Sequence, residues 1–413
     1  MLQPGAKNWI YKYFSLIESG EVDLLPWTES TDLSKAEFLH SVFFDTGIIF
    51  GYPIDFLFCK NEISESWTND EKLSLLLLES LILVYISERE TLSKEEFIDA
   101  LLVFYQQFKP KHSLNILKFF FKDSESIKLE RIIKSRIHVK RSITNQLWVS
   151  YFSNSLVYLD IMAFRLFLLN EKQLEESEGA FINGALQVVA TMAVADEVLT
   201  PLEQQIIATY IEASSLTDVE IAEFYQKLKN REFVLADITI PKDAADLYKL
   251  YLLDIAVMAV HSDLSVVNEE MVELRALCNY LKLPEEKLEH SIMIINRFIM
   301  NNNDKIVFLQ DKSSYEQLYS NFSKRWIKIL GRNKDKLIDE LKESKELISL
   351  VNKSFTEELT AEEKEKVKTQ FKDIIKSVPA LAIFMLPGGM ILLPIILKII
   401  PDLIPSAFKK NEI

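Results

Sequence analysis

The sequence is poor in glycine and cysteine, and both shortages exclude classes of protein. Its 413 residues include 9 glycines, whereas an average usage of about 7 % would supply roughly 29. Because tight turns and phosphate-binding loops need glycine, a Rossmann, P-loop or β-sandwich fold is not expected. The two cysteines, Cys59 and Cys278, lie in unrelated contexts. They offer no disulfide framework and no Cys-x-x-Cys metal site, so a reducing compartment is expected.

The motifs of common enzymes are also missing. The sequence contains no Gly-x-Ser-x-Gly, no P-loop and no His-Glu-x-x-His motif, which would mark a nucleophile, a phosphate site and a zinc site. The five histidines are scattered, and each is interpreted as a surface residue or a satisfied core residue. The N-terminus lacks a long apolar stretch with a small-residue cleavage site, so no signal peptide is expected. We therefore predict a protein without enzymatic activity.

The charge is acidic overall but unevenly distributed. The formal net charge of −14 argues against a general nucleic-acid binder, and no specific DNA binding is expected. From Thr360 onward, 8 lysines face 6 acidic residues, which leaves −16 on the rest of the chain. This asymmetry favours a C-terminal end that faces a membrane.

The apolar segments in the body of the chain have the pattern of buried helices. Leu73–Ile86 is apolar nearly all round, and it is shorter than a membrane span requires. The stretch 147–169 contains Asp160 and Arg165, which would be costly within a membrane, so it is assigned to the core as well. The sequence therefore predicts an all-α fold of multi-helical bundles.

One basic stretch interrupts the acidic body. Residues 128–141 contain six lysines and arginines against the single acid Glu130. Such a stripe could contact anionic lipid or RNA. The alternative is a solvated helix face that balances acidic neighbours.

Two stretches in the middle of the chain share one pattern. A single offset superposes Asp196 on Asp263 and Glu203 on Glu270. Each copy has an apolar helix, an acidic turn and a second helix, so a duplicated unit packed about a pseudo-twofold axis is expected. Carboxylates that converge from both copies would form the all-oxygen site that Ca²⁺ or Mg²⁺ prefers. Alternatively, the aspartates cap the following helices and the glutamates complement the helix dipoles.

The turns of this repeat read Ala195-Asp196-Glu197 and Ser262-Asp263-Leu264. The region resembles the TerB tellurite-resistance family, whose repeats carry an alanine-rich helix, an Ala-Asp-Gly-type turn and a glutamate seven residues after the aspartate. The resemblance implies a duplicated TerB-like helical domain. It also implies four candidate ligands of a divalent cation, which are Asp196, Glu203, Asp263 and Glu270.

The C-terminal residues form a module of different character. Thr360 and Glu363 have the spacing of a capping box. A lysine-rich helix follows, and its apolar stripe suits a membrane surface. The stripe consists of Val367, Phe371, Ile374 and Ile375.

Residues 378–400 then form an apolar run whose only charge is Lys398. As a helix this run would be about 34 Å long, enough for a hydrocarbon core of about 30 Å. Pro387-Gly388-Gly389 divide it, so it is either one kinked span or a re-entrant hairpin. The third alternative is an apolar tail that docks on the soluble body or on a partner subunit.

A pattern of prolines, glycines and aromatic residues marks this segment: Pro379, Phe384, Pro387, Gly388, Gly389, Pro394, Lys398, Pro401, Pro405, Ser406 and Phe408. The pattern resembles the membrane segment of Letm-type proteins of the mitochondrial inner membrane and their bacterial relatives. With the TerB-like middle, the chain also resembles bacterial Letm-related, biofilm-associated proteins. The resemblance implies attachment of the C-terminal tail to the cytoplasmic face of a bacterial inner membrane.

Four parts of the chain are therefore expected. They are an N-terminal helical domain (1–145), the TerB-like duplicated domain (146–310), a charged helical connector (311–358) and the Letm-type tail (359–413).

Together these features predict a non-enzymatic, membrane-associated helical scaffold or stress-response protein with a biofilm or envelope role. A divalent cation at the acidic site is the only cofactor considered. One alternative is a Letm-like component of cation homeostasis or exchange that acts as an oligomer. The other is a ribosome-associated adaptor at the membrane. The expected partners are membrane lipid through the tail and either a second copy of the chain or a membrane protein, with the ribosome in the adaptor alternative.

Overall fold

Every regular element that the computed structural model describes is a helix, which confirms the predicted all-α fold. The structure describes residues 2–24, 34–59, 66–89, 91–108, 124–137, 156–171, 173–174, 178–194, 216–238, 246–260, 268–301 and 344–353, together with position 240 and short pieces between 204 and 214 and between 360 and 370.

The helices are numbered in chain order, and two short 3₁₀ turns, Ile48–Phe50 and Leu235–Asp237, lie between them. They are α1 (Trp9–Glu18), α2 (Lys35–Thr46), α3 (Asn69–Arg89), α4 (Lys94–Phe108), α5 (Glu125–Ile137), α6 (Tyr158–Leu169), α7 (Glu178–Ala193), α8 (Asp218–Asn230), α9 (Asp246–Val260), α10 (Asn268–Tyr280), α11 (Glu285–Asn301) and α12 (Lys345–Lys353).

The chain divides into two compact units. The first consists of Met1–Thr28 and Ser34–Gln310, and the second consists of Asp311–Ile413 with Glu29–Leu33. Helices α1 to α11 belong to the first unit and α12 belongs to the second. The four-part division expected from the sequence stays a prediction.

Helix α3 lies in the centre of the first unit. All of its residues from Leu73 to Ser87 are buried. A helix that is apolar on every side has no face suited to water, so other elements must enclose it. Helices α2, α5 and α6 pack against it. The prediction that Leu73–Ile86 is a core helix is confirmed.

Helix α6 is the second buried helix of this unit. Its residues from Tyr158 to Leu168 are buried, including Asp160 and Arg165. It packs against α3, α4, α7 and α9. The two ionisable residues that argued against a membrane span therefore lie within the protein core, as predicted.

Aromatic rings connect the helices around α6. The ring of Phe104 on α4 lies 5.3 Å from that of Phe164 and 5.7 Å from that of Phe167. Phe181 on α7 continues the cluster and lies 5.1 Å from Tyr248 on α9. Tilted and edge-to-face arrangements such as these add to the stabilisation that comes from burial alone.

One glycine decides how the chain leaves α2. Gly47 ends that helix with a φ of 78°, in the left-handed region that glycine adopts without strain. A Cβ at this position would lie 2.3 Å from the carbonyl oxygen of Tyr52. Gly47 therefore permits the tight turn through which residues 51–59 return toward the core.

We expect Leu76→Ala to lower the free energy of unfolding by about 2–5 kcal/mol, because it leaves a cavity at a buried position of α3. The side chain of Leu76 is fully buried. Val272→Ala is the control, since Val272 is 59 % exposed, and it should change stability by less than about 0.5 kcal/mol. Urea denaturation followed by circular dichroism measures both. Equal losses in the two variants would contradict the central position of α3.

Candidate functional site

The four candidate cation ligands lie largely outside the described residues. Asp196, Glu203 and Asp263 are not described, and Glu270 is described only as a backbone position of α10. Among the described residues, no group of three or more histidine, cysteine, aspartate or glutamate side chains has an arrangement that could hold a metal ion. The cation site at these four residues stays a prediction.

The helix bounds around these residues follow the spacing of the sequence repeat. Helices α7 and α9 end at Ala193 and Val260, and α8 and α11 begin at Asp218 and Glu285. The two helix ends are separated along the chain by the same number of residues as the two helix beginnings. This number equals the offset that superposes Asp196 on Asp263. The acidic turns therefore follow two helices whose ends correspond in the two copies.

A contact between corresponding residues lies where these two helices meet. Phe181 and Tyr248 are separated by the same offset, and the Tyr248 hydroxyl donates a 2.8 Å hydrogen bond to the carbonyl oxygen of Phe181. Under a pseudo-twofold arrangement, corresponding residues contact each other only near the axis. The duplicated TerB-like unit, with its packing about a pseudo-twofold axis, stays a prediction.

The first polar cluster of the core joins α4, α5, α6 and α7 around one carboxylate. The Arg136 guanidinium donates two hydrogen bonds to Asp160, of 2.8 Å from Nε and 2.7 Å from Nη2. It also pairs with Glu178. The Tyr105 hydroxyl donates to Asp160 over 3.0 Å. The bidentate geometry fixes the planes of both groups, so the cluster sets the relative positions of four helices.

Two carboxylates share the single guanidinium of this cluster. Asp160 and Glu178 are 0 % and 2 % exposed, and the second oxygen of Glu178 has no hydrogen-bond donor among the described residues. Burial raises the pKa of Glu178, although the charge of Arg136 acts in the opposite direction. The cluster therefore depends strongly on Arg136.

This arrangement changes the interpretation of the basic stretch 128–141. Lys134 is exposed, as expected for a solvated face. Arg136 on the same helix is bonded to buried carboxylates instead. Its charge is therefore paired inside the protein. Fewer positive charges of this helix remain at the surface to contact lipid or RNA than the sequence indicates.

We expect Arg136→Met to lower the free energy of unfolding by about 3–5 kcal/mol, because it leaves two buried carboxylates without a cation. Lys134→Met removes an exposed positive charge from the same helix and should cost less than about 0.5 kcal/mol. Urea denaturation at pH 7 compares the two variants. If both cost the same, Arg136 has no special role in the core.

The second polar cluster joins α2, α9 and α11. Asp254 accepts a 2.5 Å hydrogen bond from His40 Nε2 and a 2.6 Å hydrogen bond from the Ser291 hydroxyl. All three residues are buried.

The order of these groups differs from that of a nucleophilic relay. In Ser-His-Asp catalysis the histidine lies between the other two residues and takes the proton of the serine. Here Asp254 lies between Ser291 and His40, so both groups donate to one carboxylate. The arrangement joins three helices and does not activate Ser291 through His40.

The third polar cluster of the core is centred on Glu79, which accepts hydrogen bonds from a segment without regular structure. It lies on α3 and is 0 % exposed. One of its carboxylate oxygens accepts from the Leu57 and Phe58 N–H groups over 2.7 and 3.3 Å. The other accepts from the Cys59 N–H over 2.9 Å and from the Tyr13 hydroxyl over 2.7 Å. These four bonds bind residues 57–59 and α1 to the central helix.

Burial raises the pKa of Glu79 to about 7, although its hydrogen bonds lower it. The folded state therefore binds a proton more tightly than the unfolded state, where a glutamate has a pKa of about 4.3. The stabilisation that Glu79 contributes is therefore fully present below the unfolded-state pKa. It is lost as the pH rises through the folded-state pKa of about 7.

We expect the free energy of unfolding of the wild type, relative to Glu79→Gln, to fall by about 3 kcal/mol between pH 4.5 and pH 8, because the variant has no carboxyl group to titrate. Urea denaturation at intervals of half a pH unit measures this difference. Glu223→Gln removes an exposed carboxyl group and should give a curve parallel to the wild type. If the curve of Glu79→Gln is also parallel to that of the wild type, titration of Glu79 does not affect stability and the prediction is wrong.

In the second unit, α12 lies antiparallel to the chain after Thr360. Lys353, at the end of α12, pairs with Glu363 over 2.6 Å. At its beginning, Ser344 and Glu346 are hydrogen-bonded to Gln370 over 3.1 and 2.5 Å. Residues 362–363, 366–367 and 369–370 are helical. The two segments therefore form a helical hairpin, named the 344–370 hairpin below.

The predicted capping box at the beginning of the second helix is confirmed. The Thr360 N–H donates to the Glu363 carboxylate over 3.0 Å, and the Glu363 N–H donates to the Thr360 hydroxyl over 3.3 Å. Each side chain satisfies a backbone donor that the helix itself leaves unpaired.

The predicted membrane residues from Pro379 to Phe408 all lie outside the described residues. Within the described part of the chain, no helix is long and apolar enough to cross a membrane. The choice between a kinked span, a re-entrant hairpin and a docked tail therefore stays open.

Comparison with known proteins identifies the C-terminal segment. Residues 359–413 match the family model described as LETM1-like, RBD. No curated protein and no solved structure matches the chain. The match supports the Letm-type resemblance of the tail. The matched segment begins one residue before Thr360, at the capping box of the 344–370 hairpin.

Proposed function

We propose that the protein attaches to a membrane through its LETM1-like segment and presents the acidic helical unit as a scaffold at the membrane surface. The observation that carries this proposal is the family match at 359–413, because LETM1-like proteins are membrane-associated. The matched segment also contains the apolar run 378–400, with Lys398 as its only charge.

The charge distribution supports one orientation. Five lysines lie between positions 364 and 376, directly before the apolar run. Positive residues beside a membrane segment favour the cytoplasmic side. We therefore place the helical unit at the cytoplasmic face, with a bacterial inner membrane as the expected membrane.

The same family match favours a second candidate, a component of cation homeostasis. The single apolar run 378–400 cannot by itself enclose a polar path for an ion, because charged groups in a membrane need protein or water around them. This candidate therefore requires several copies of the chain, and it gains support only if the protein is oligomeric in detergent and conducts cations in vesicles.

The attachment proposal predicts the outcome of one fractionation experiment. Cells expressing the full-length wild type or the double variant Leu386→Asp/Ile391→Asp are lysed, and the membranes are extracted with alkaline carbonate. The wild type should stay in the membrane pellet. The double variant should move to the supernatant, because a charge near the centre of a span costs about 2.5–3.5 kcal/mol.

The control introduces the same charges on the helical unit. Val219 and Val272 are 68 % and 59 % exposed, so Val219→Asp/Val272→Asp should leave the protein in the membrane pellet. Wild-type protein that is extracted completely by carbonate would overturn attachment through the apolar run. So would a double variant that stays in the pellet with the wild type.

A further inference from the structure

Helices α2 and α11 of the first unit meet through two residues from each helix. Glu37 and His40 are three residues apart on α2, so they lie on one side of that helix. Lys287 and His290 have the same spacing on α11. Glu37 forms an ion pair with Lys287, and the ring centroids of His40 and His290 are 6.0 Å apart. The junction therefore combines one pair of opposite charges with one pair of bases.

The two histidines differ in the partners that a proton on them would find. Nε2 of His40 lies 2.5 Å from a carboxylate oxygen of Asp254, whose other oxygen accepts a hydrogen bond from Ser291. The imidazole of His290 is half-buried and has no hydrogen bond within the part of the chain that the structure describes. A positive charge on His40 would therefore be paired with Asp254. A positive charge on His290 would have no carboxylate bonded to it, which is costly for a group removed from water.

The anion that favours a proton on His290 is already engaged. It is Glu37, whose carboxylate pairs with Lys287 and also accepts hydrogen bonds from the N–H and the hydroxyl of Ser34. Burial raises the pKa of Glu37, but its bonds to Lys287 and Ser34 bring it down to about 2. Glu37 therefore stays ionised, and held by its present partners, in mild acid.

The other charged groups around α11 do not replace this anion. On α9, Asp254 is bonded to His40 and Ser291. On α10, Arg275 pairs with Glu285 at the beginning of α11. On α2 and α11, the positive charges of His40 and Lys287 oppose a proton on His290. Burial and then these two charges lower the pKa of His290 to about 3, although Glu37 acts in the opposite direction.

We propose that α2 is an acid-sensitive latch, which closes on α9 and α11 while His290 is neutral and opens when His290 takes up a proton. In the closed state, the inner face of α2 buries Leu39, Phe43 and Phe44, which are 0 %, 0 % and 2 % exposed. Opening brings these side chains into water. The first unit then presents an apolar surface in acid that it does not present at neutral pH.

The direction of the pH dependence follows from the two states of His290. In the open state the histidine has its ordinary pKa of 6.5, whereas in the closed state its pKa is lowered to about 3. The closed state is therefore at its most stable above pH 6.5. Below that value, each pH unit shifts the ratio of open to closed protein by up to about tenfold, until the pH reaches the closed-state pKa.

This effect must be measured at α2 itself, because Glu79 acts in the opposite direction on the stability of the whole unit. The raised pKa of Glu79 adds stability as the pH falls from 7. A global denaturation curve would therefore combine two opposing contributions. Amide exchange resolves individual helices and separates opening of α2 from unfolding of the core.

The test is hydrogen–deuterium exchange of the full-length protein in a neutral detergent at pH 6.5 and pH 4.5. Observed rates are divided by the intrinsic exchange rates at each pH. The protection of residues 35–46 should fall by at least about tenfold at pH 4.5, while that of Leu73–Ile86 in α3 stays constant. Unchanged protection of 35–46 would overturn the latch. An equal loss in α3 would also overturn it, because the whole unit would then unfold.

Two variants on α11 assign the effect to His290. His290→Phe keeps a ring at the junction but cannot take up a proton, so residues 35–46 should stay protected at both pH values. Glu286→Gln removes an exposed carboxyl group from the same helix and should open as the wild type does. If His290→Phe does not fold, His290→Gln provides the same comparison with a smaller neutral side chain. A variant without the histidine that still opens at pH 4.5 as the wild type does would overturn the proposal.

A measurement on the wild type tests the latch without relying on a variant of uncertain stability. Histidine labelled with ¹³C at Cε1 gives one NMR signal for each of the five histidines, and the signal of His290 is the one absent from His290→Gln. While 35–46 is protected, this signal should stay that of a neutral imidazole down to pH 4.5. A His290 that titrates with a pKa near 6.5 while α2 stays protected would overturn the latch.

Discussion

Helix α3 is apolar on every side, and the first unit is organised by the need to exclude water from all of it. This requirement explains why α2, α5 and α6 surround it and why a segment without regular structure also reaches it. Where α3 carries the polar residue Glu79, enclosure requires hydrogen bonds as well as apolar contacts, because a buried carboxylate without partners is costly. Three backbone N–H groups and the Tyr13 hydroxyl supply these bonds.

The other buried charges of the unit follow the same rule. Asp160 receives Arg136 and Tyr105, and Asp254 receives His40 and Ser291. Each carboxylate binds donors from other helices, so neither can be satisfied unless those helices are correctly placed. Such clusters add less to stability than apolar packing of equal volume. We infer that their value is in fixing one arrangement among many apolar helices that could pack in several ways.

The sequence predicted local features better than distant partners. Leu73–Ile86 and the helix around Asp160 were recognisable, because an apolar run and its length are local properties. The capping box of Thr360 and Glu363 was recognisable for the same reason. The partners of Asp254 were not, because His40 is 214 residues away in the chain and no local pattern relates them. An acidic residue inside an apolar helix was the available signal, and it predicts a buried partner without identifying it. The spacing of Val367 shows a second limit, since it suits a lipid surface and a neighbouring helix equally. The polar pairs at the two ends of the 344–370 hairpin show that α12 lies beside this helix.

The bonds at Glu79 also constrain the length of the chain. The donors come from three successive residues, Leu57 to Cys59, and the segment before them is tied at Gly47 by a turn that a side chain would obstruct. Segments without regular structure usually tolerate insertions and deletions. Here, one residue added or removed between Gly51 and Leu57 would shift every donor past its acceptor. This connection is therefore as fixed in length as a helix of the core.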